Sequence, residues 1–508
     1  MAELIDESVA LVTNTSALAV EIAGISDDSR EIEQGDLFVA VAGAASDGHD
    51  FAAQAVARGA VAVAAEHQLQ DITVPVVVVP QLKRKRGDLA SRLLGRPSEA
   101  MRCVGVTGTN GKTSIACFIA ELATRLGEPG GYMGTIGWGV IDRGNWGDLV
   151  PSELTTESAI IVQKRLAGLF QQGARWVVME ASSHALDQHR LEGVALDYAV
   201  FSNLSRDHLD YHQDFEEYGE AKARLFTRAG LKAAVINVDD EFGRQLSERL
   251  SSAVEVVTYG SCAADDAEVD VVTDVSWTDL RFHAEGVEGM WQTRWGERSF
   301  HLPLLGAFSV SNVAAAVGVL CHAGFTLTDV VEAARRLPAV PGRMEFFTGE
   351  PALVVDYAHT PDALEKMLKA LRPHVSGKLV CVCGCGGDRD RGKRPLMAQA
   401  AARYADLTWF TSDNPRSEDP RSIIDDMTSG LEAGESVSIC VDRRMAIEQA
   451  VSDASVGDLV VIAGKGHEEY QEVAGQRLPF SDRLIAAELA GHGSAVSGLD
   501  PEKQQGGS

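Results

Sequence analysis

The chain has 508 residues, more than one hydrophobic core accommodates, so two to four domains are expected. Its 46 basic and 73 acidic residues give a formal charge of −27, which argues against nucleic acid and anionic membranes as partners. Apolar content is ordinary, no apolar stretch reaches bilayer length and the N-terminus has no signal-type start, so a cytoplasmic protein is expected.

Residues 1–97 carry short strand signals at Gly35–Gly43 and Val74–Pro80 with helical patterns between and after them, a first domain. Lys83-Arg-Lys-Arg86 reads as the solvated start of a helix.

A second domain spans 98–337. Cys103-Val-Gly-Val106 runs into Thr107-Gly-Thr-Asn-Gly-Lys-Thr113, a strand entering a glycine loop. Glycines let backbone N–H groups close around phosphates, Lys112 can reach the β- and γ-phosphates, and the Thr113 hydroxyl can sit on Mg²⁺. The strict pattern places a glycine five residues before Gly111, where this chain has Val106. The loop is therefore a variant one, and it predicts ATP or GTP. Trp176–Glu180, Tyr198–Ser202 and Ala233–Asn237 are continuous apolar runs of the kind buried in parallel sheets. Glu180 ends the first of them, where its carboxylate could hold Mg²⁺ or simply cap the strand. Asn203-Leu-Ser-Arg-Asp-His-Leu-Asp-Tyr-His212 places two histidines and two aspartates in a strand-end loop, suited to metal or substrate. Lys222, on an amphipathic helix, reads locally as a surface lysine. Residues 255–300 suggest a small antiparallel insertion.

A third domain, 338–492, has strand signals at Ala352–Asp356, Leu379–Cys383, Leu407–Thr411 and Leu459–Ala463, a second Rossmann-like α/β unit. Polar loops follow each strand: Asp356-Tyr-Ala-His-Thr-Pro361, Gly386-Gly-Asp-Arg-Asp-Arg-Gly392, Asp413-Asn-Pro-Arg416 and Gly464-Lys-Gly-His-Glu468. Four such loops at one sheet edge amount to a binding surface. The eight cysteines contain no C-x-x-C pair and read as reduced, buried thiols rather than zinc ligands. Residues 493–508, rich in Gly, Ser, Gln and Asp, read as a disordered tail.

Gly108-Thr-Asn-Gly-Lys-Thr113, Asn203-Leu-Ser-Arg-Asp-His208, Ala221-Lys222, Gly306-Ala-Phe-Ser-Val-Ser-Asn312, Gly342-Arg343 and Asp356-Tyr-Ala-His359 together resemble the motifs of the Mur ligases. These are the ATP-dependent amide-forming enzymes of peptidoglycan synthesis, and the resemblance runs from Ser26 to Asp482. The Asp413–Arg416 and Gly464–Glu468 motifs look like those of the diaminopimelate-adding members. The resemblance implies an α/β protein of three domains: an N-terminal UDP-substrate domain, a central P-loop ATPase-type parallel sheet and a C-terminal Rossmann-like amino-acid domain. It implies ATP and two Mg²⁺ as cofactors, UDP-N-acetylmuramoyl-L-alanyl-D-glutamate and meso-diaminopimelate as substrates, and a monomer.

By the same resemblance Lys112, Glu180, His208 and Lys222 are catalytic, and Thr113, Glu180, His208 and a carbamylated Lys222 hold metal. ATP would meet Gly108, Thr109, Asn110, Gly111, Lys112, Thr113 and Ser114, with Asn312 near adenine, Arg343 near the phosphates, Asp356 near ribose, and His359. Ser29, Thr155, Thr156, Ser182, Gln188 and Arg190 would hold the UDP-dipeptide. Arg389, Asp413, Asn414, Pro415, Arg416, Gly464 and Glu468 would hold diaminopimelate. The small residues Ala44-Ala-Ser46 and the apolar Leu154 depart from the family pattern at sugar contacts. A lysine-adding Mur ligase or a folylpolyglutamate synthetase is the alternative within the superfamily, against which the first segment and Asp413–Arg416 argue. A nucleotide-gated regulatory protein is the alternative from another class.

Overall fold

The computed structural model describes residues 20–43, 46–146, 148–205, 211–250, 252–261, 273–431 and 436–491. The chain divides into two compact units, 1–141 with 149–257, and 142–148 with 258–508.

The first unit holds two sheets. Strands β1 (Gly24–Ser26), β2 (Asp36–Ala40), β3 (Ala62–Ala65) and β4 (Val76–Val78) pair in parallel in that order, with α1 (Ala52–Arg58) between β2 and β3 and α2 (Leu82–Leu93) after β4. The expected solvation of Lys83–Arg86 holds for Lys83 and Arg84, which are exposed. It fails for Arg86, which pairs with Asp27 at 3.1 Å in a part-buried contact.

The second sheet is built from β5 (Arg102–Thr107), β6 (Gly130–Gly134), β7 (Gly137–Val140), β8 (Trp176–Glu180), β9 (Tyr198–Phe201) and β10 (Ala233–Asn237). Their order is β10-β9-β5-β8-β6-β7, parallel except for the β6–β7 pair. The helices are α3 (Lys112–Arg125), α4 (Ala159–Gln171), α5 (Ser183–Asp187), α6 (Phe215–Ala223) and α7 (Glu241–Leu250). Every residue of β8, β9 and β10 is buried, which is why each reads as a continuous apolar run. The order places β5 between β8 and β9, so the loops after these three strands open side by side at their carboxyl ends, where ligands bind in open α/β sheets. Helix α6 starts at an Asp214 cap that accepts from Glu217 N at 2.8 Å, with Glu216 and Glu217 in its first turn.

β11 (Glu255–Tyr259) carries the chain into the second unit, which continues with the antiparallel meander β12 (Val275–His283), β13 (Gly286–Thr293) and β14 (Gly296–Leu302). The meander lies where the antiparallel insertion is expected. Helix α8 (Ala307–His322) is apolar nearly all round and correspondingly buried; α9 (Leu327–Ala334) follows it. The last sheet takes β15 (Glu345–Phe347), β16 (Ala352–Asp356), β17 (Leu379–Cys383), β18 (Leu407–Phe410), β19 (Val437–Ile439) and β20 (Leu459–Ala463) in the order β15-β16-β20-β17-β18-β19. Only β15 is antiparallel. Helices α10 (Pro361–Leu371), α11 (Lys393–Tyr404), α12 (Pro420–Thr428), α13 (Arg443–Asp453) and α14 (Asp482–Leu489) and the hairpin β21 (Tyr470–Val473) with β22 (Gln476–Pro479) complete it. No helix among the described residues is long and apolar enough to cross a membrane. The tail 493–508 lies outside the described residues.

One buried ion pair ties this sheet to its helices. Arg443 donates to Asp482 at 2.9 and 2.7 Å, and to the carbonyls of Ser412 (3.3 Å) and Ala463 (3.0 Å). Both side chains are wholly buried. Removing one partner leaves a charge in low dielectric, so Asp482→Ala should cost about 3–5 kcal/mol. Denaturant unfolding would read this directly, and an unchanged midpoint would show that the pair holds nothing together.

Candidate active site

The glycine loop is locked against the strand-end loop after β9. Thr109 N donates to Asn203 O at 2.8 Å and Asn110 N to Asn203 Oδ1 at 3.0 Å. Ser202 Oγ donates to the Asn110 carbonyl at 2.6 Å. A Cβ on Gly108 (φ 142°) would lie 1.9 Å from Ser202 Oγ, so only glycine fits there. Gly111, at φ 86°, is the N-cap of α3. Lys112 is the first residue of α3, and its Nζ folds over the loop to the carbonyls of Gly108 (2.9 Å) and Thr109 (2.8 Å). Ser114 is half-buried on the first turn.

Thr113 and Glu180 do meet. Thr113 Oγ1 donates to Glu180 Oε1 at 3.0 Å, leaving its lone pairs for a cation. The same Oε1 accepts from Tyr132 OH (2.6 Å) and Thr135 N (2.8 Å), whereas Oε2 takes Thr135 Oγ1 at 3.2 Å. Glu180 is nearly fully buried. A carboxylate so oriented beside a hydroxyl and the glycine loop suits Mg²⁺, which takes one or two carboxylates with phosphate oxygens and waters. Among the described residues no three His, Cys, Asp or Glu side chains converge. The fit therefore rests on mixed oxygen donors.

Lys222 is not the surface lysine its local sequence suggests. It is 1% exposed, donates to the Gly108 carbonyl at 2.8 Å and lies 4.3 Å from the centre of the Tyr218 ring. Tyr218 OH in turn lies 3.2 Å from Thr109 Oγ1. The helix thus presents its lysine end-on to the loop, a placement that the amphipathic pattern of α6 alone could not reveal. His208 lies outside the described residues.

Thr155, Thr156, Ser182, Gln188 and Arg190 gather beside Glu180. Thr156 Oγ1 donates to the Glu180 carbonyl (2.7 Å) and accepts from Ser182 N (3.2 Å); Thr155 Oγ1 contacts Thr135 Oγ1 at 3.1 Å. Ser182 Oγ caps α5. Arg190 donates to the Thr156 carbonyl (2.6 Å) and to Gln188 Oε1 (2.7 Å), and its pKa is lowered by burial and by the nearby Arg86 charge. Ser29 stands apart from this group, bonded to Gln54 Oε1 at 3.0 Å beyond the end of β1. Of the departures expected at sugar contacts, Leu154 is exposed and residues 44 and 45 lie outside the described residues.

In the second unit Arg343 stacks over the Tyr357 ring at 4.1 Å. Gly342 (φ 64°) and Gly466 (φ 53°) allow that turn to touch the Gly464–Glu468 loop: a Cβ on Gly342 would lie 2.1 Å from His467 N. Both Asp356 oxygens accept backbone amides, from Met344 and Ala358, each at 2.8 Å. Burial raises the Asp356 pKa, with Arg343 and the two amides pulling it down. His359 Nδ1 contacts the Tyr357 carbonyl at 2.7 Å. Asn312 is buried on α8. His467 is pushed down to about 3, by burial first and then by the charges of Arg343, Arg483 and Lys465.

All four polar loops emerge from the carboxyl ends of the adjacent strands β16, β20, β17 and β18. Asn414 Nδ2 donates to Glu468 Oε2 at 3.0 Å, which joins the loop after β18 to the loop after β20. Asp413 Oδ1 accepts from Asn414 N at 2.7 Å, and a Cβ on Gly464 would lie 2.7 Å from Asp413 Oδ2. The Pro415 carbonyl lies where Gly387 would carry a Cβ, 1.9 Å away. Arg416 has φ 52°, and donates through Nη1 to Gly387 O (2.8 Å) and through Nε to Glu472 (3.1 Å). Arg389 is exposed on the neighbouring loop. Glu468 also accepts from Lys465 Nζ at 2.9 Å. Sequence reading missed Tyr132, Thr135, Tyr218, Lys465 and Glu472. The signal for Lys465 is present, since it lies inside a motif singled out for its neighbours. Tyr132 and Thr135 follow a glycine-rich stretch that gives no strand signal.

Comparison with known proteins adds a finding to this geometry. The family model described as Mur ligase family, catalytic domain, matches residues 21–90; Mur ligase middle domain matches 106–320; Mur ligase, glutamate ligase domain, matches 342–466. A UDP-N-acetylmuramoyl-L-alanyl-D-glutamate–2,6-diaminopimelate ligase of Pseudomonas syringae pv. tomato is 46% identical over 466 residues, 91% of this chain and 93% of that protein. A solved structure of a ligase of the same description superposes with a TM-score of 0.70 at 40% identity, over 92% of this chain and 95% of that one. MurF ligase from Thermotoga maritima in complex with ADP shares the fold at 19% identity and a TM-score of 0.62, over 88% and 95% of the two chains.

Proposed function

The chain belongs to the Mur ligase family, and from that premise we propose that it adds meso-2,6-diaminopimelate to UDP-N-acetylmuramoyl-L-alanyl-D-glutamate. As a Mur ligase it is an ATP-dependent, ADP-forming amide ligase of peptidoglycan precursor synthesis. The contact of Asn414 with Glu468 at 3.0 Å supports the reading of the amino acid, because it joins the Asp413–Arg416 and Gly464–Glu468 motifs.

A carboxylate is a poor electrophile at neutral pH. The γ-carboxylate of the D-glutamate attacks the γ-phosphoryl group of ATP, and ADP leaves with the electrons of the broken P–O bond. The resulting acyl phosphate is attacked by an amine of diaminopimelate, which loses a proton, and phosphate leaves through a tetrahedral intermediate. The loop Gly108–Ser114 cradles the phosphates with its amides, and the Lys112 ammonium moves from its loop carbonyls to the transferring group. Thr113 and Glu180 would hold one Mg²⁺; His208 and Lys222, modified to N6-carboxylysine, would hold a second. These ions would neutralise charge on the phosphates. Asn312 takes the adenine, Asp356 the ribose and Arg343 the phosphates of ATP, with His359 as a further contact. Ser29, Thr155, Thr156, Ser182 and Gln188 hold the UDP-dipeptide, with Arg190 as the cation for one of its anionic groups. Arg389 and Arg416 take the distal carboxylate of diaminopimelate, and Glu468 with the Gly464 carbonyl takes its ammonium. The domain limits that go with these roles are 1–97, 98–337 and 338–492, and the enzyme acts as a cytoplasmic monomer.

Phosphate release with each substrate omitted in turn tests the reading. Release is expected only with ATP, UDP-dipeptide and diaminopimelate all present. Release without the amino acid, or full rates with L-lysine in its place, would overturn it.

A further inference from the structure

We propose that Lys465 is a positioning residue for amino-acid specificity: its buried ammonium sets the direction of the Asn414 amide and holds Glu468 as its partner. The proposal rests on the amino-acid pocket described above.

Lys465 is wholly buried, and its Nζ donates to Asn414 Oδ1 at 3.0 Å and to Glu468 Oε2 at 2.9 Å. A side-chain amide can ordinarily be turned end for end, since its oxygen and nitrogen have the same shape. Here two donors decide. Asn414 Oδ1 receives both Lys465 Nζ and Glu472 N, the latter at 3.0 Å, and an NH₂ group facing two N–H donors would find no acceptor. Nδ2 is therefore turned to Glu468 Oε2 at 3.0 Å.

Two consequences bear on the substrate. Asn414 can offer only its second N–H outward, so it serves a carboxylate and cannot receive an ammonium. Glu468 Oε2 already carries two donors, so a substrate ammonium is directed to Oε1 and to the Gly464 carbonyl. One cation in the floor of the pocket thus sorts its donors from its acceptors, which a substrate bearing both a carboxylate and an ammonium requires. Tyr470 walls the site, with its ring 5.5 Å from Nζ. Gln471 Nε2 holds the Asp413 carbonyl at 2.6 Å, so the peptide before Asn414 is fixed independently of Lys465.

The test is Lys465→Met in the full-length enzyme, with KM measured separately for each substrate. KM for the amino acid should rise about 10²-fold, the effect of leaving buried polar partners unmet, while KM for ATP and for the UDP-dipeptide stays within about twofold. Lys465→Gln keeps two N–H donors on a side chain one bond shorter, and should recover part of the loss. Should the methionine variant fail to fold, the glutamine variant is read alone: KM for the amino acid should still rise, by less than about 10²-fold, with the other two within about twofold, and an unchanged amino-acid KM would overturn the proposal. A double-mutant cycle then asks whether Lys465 acts through Asn414: adding Lys465→Met to Asn414→Ala should raise KM by much less than it does in the wild type. Proportional loss for all three substrates, or a fully multiplicative double mutant, would overturn the proposal. The measurement uses whichever amino acid the wild type accepts. Failure of the diaminopimelate assignment therefore shows in the wild type, and failure of the Lys465 role shows only in the variants.

Discussion

Lys112→Ala is expected to abolish turnover while leaving the fold intact. Lys112 opens helix α3, where alanine is at least as good a helix former, so the substitution carries no cost in helix propensity. Its ammonium already lies over the loop, bonded to two loop carbonyls at 2.9 and 2.8 Å. A polyphosphate displaces these neutral acceptors, because it adds charge–charge attraction to the ammonium that a carbonyl does not offer. The phosphoryl group gathers negative charge as it transfers, and the loop has no other cationic side chain. Removing such a donor typically costs a factor of about 10²–10³ or more in kcat. Steady-state kinetics, with circular dichroism as the fold control, would measure it. Near-normal turnover in the alanine variant would refute the phosphate-loop reading of Thr107–Thr113.

The second large effect is selectivity. The enzyme should prefer meso-diaminopimelate to L-lysine by up to about 10⁴-fold, because lysine lacks the distal carboxylate that the remaining Arg416 donors would bind. Arg416 is the chief carrier. Its backbone is held in the left-handed region, at φ 52°, between Arg416 N→Glu472 O (2.9 Å) and Ala474 N→Arg416 O (2.7 Å). For a residue with a Cβ that conformation costs on the order of 1 kcal/mol or more, which the flanking bonds offset. The side chain uses Nη1 on Gly387 O and Nε on Glu472. That leaves three of the five guanidinium N–H donors, both on Nη2 and one on Nη1, for the carboxylate. Arg416→Ala should lose diaminopimelate addition far more than ATP binding, and selectivity should collapse with it. Parallel assays with both amino acids decide the matter, and equal use of lysine by the wild type would overturn the specificity while leaving the ligase class in place.

The strand ends illustrate how far local sequence reaches. Trp176–Glu180, Ala233–Asn237, Ala352–Asp356, Leu379–Cys383 and Leu459–Ala463 are strands at the residues their apolar runs mark. A strand buried on both faces must be apolar throughout and must stop where polar residues begin. The same rule located the four polar loops of the second unit. It failed for Ala62–Ala65 and Gly130–Gly134, whose alanine and glycine content gives no strand signal. Those strands exist because neighbours on each side supply the pairing.

By itself the sequence determined the α/β class, the phosphate loop and the order of the motifs, since each is written in adjacent residues. Only the tertiary structure decided that Lys222 is buried against Gly108, that Glu180 is held by Tyr132 and Thr135, and that Lys465 bonds to Asn414. These partners stand far apart in the chain or on different strands, and a side chain's burial and hydrogen-bond direction depend on what packs against it, which no local pattern of residue types contains.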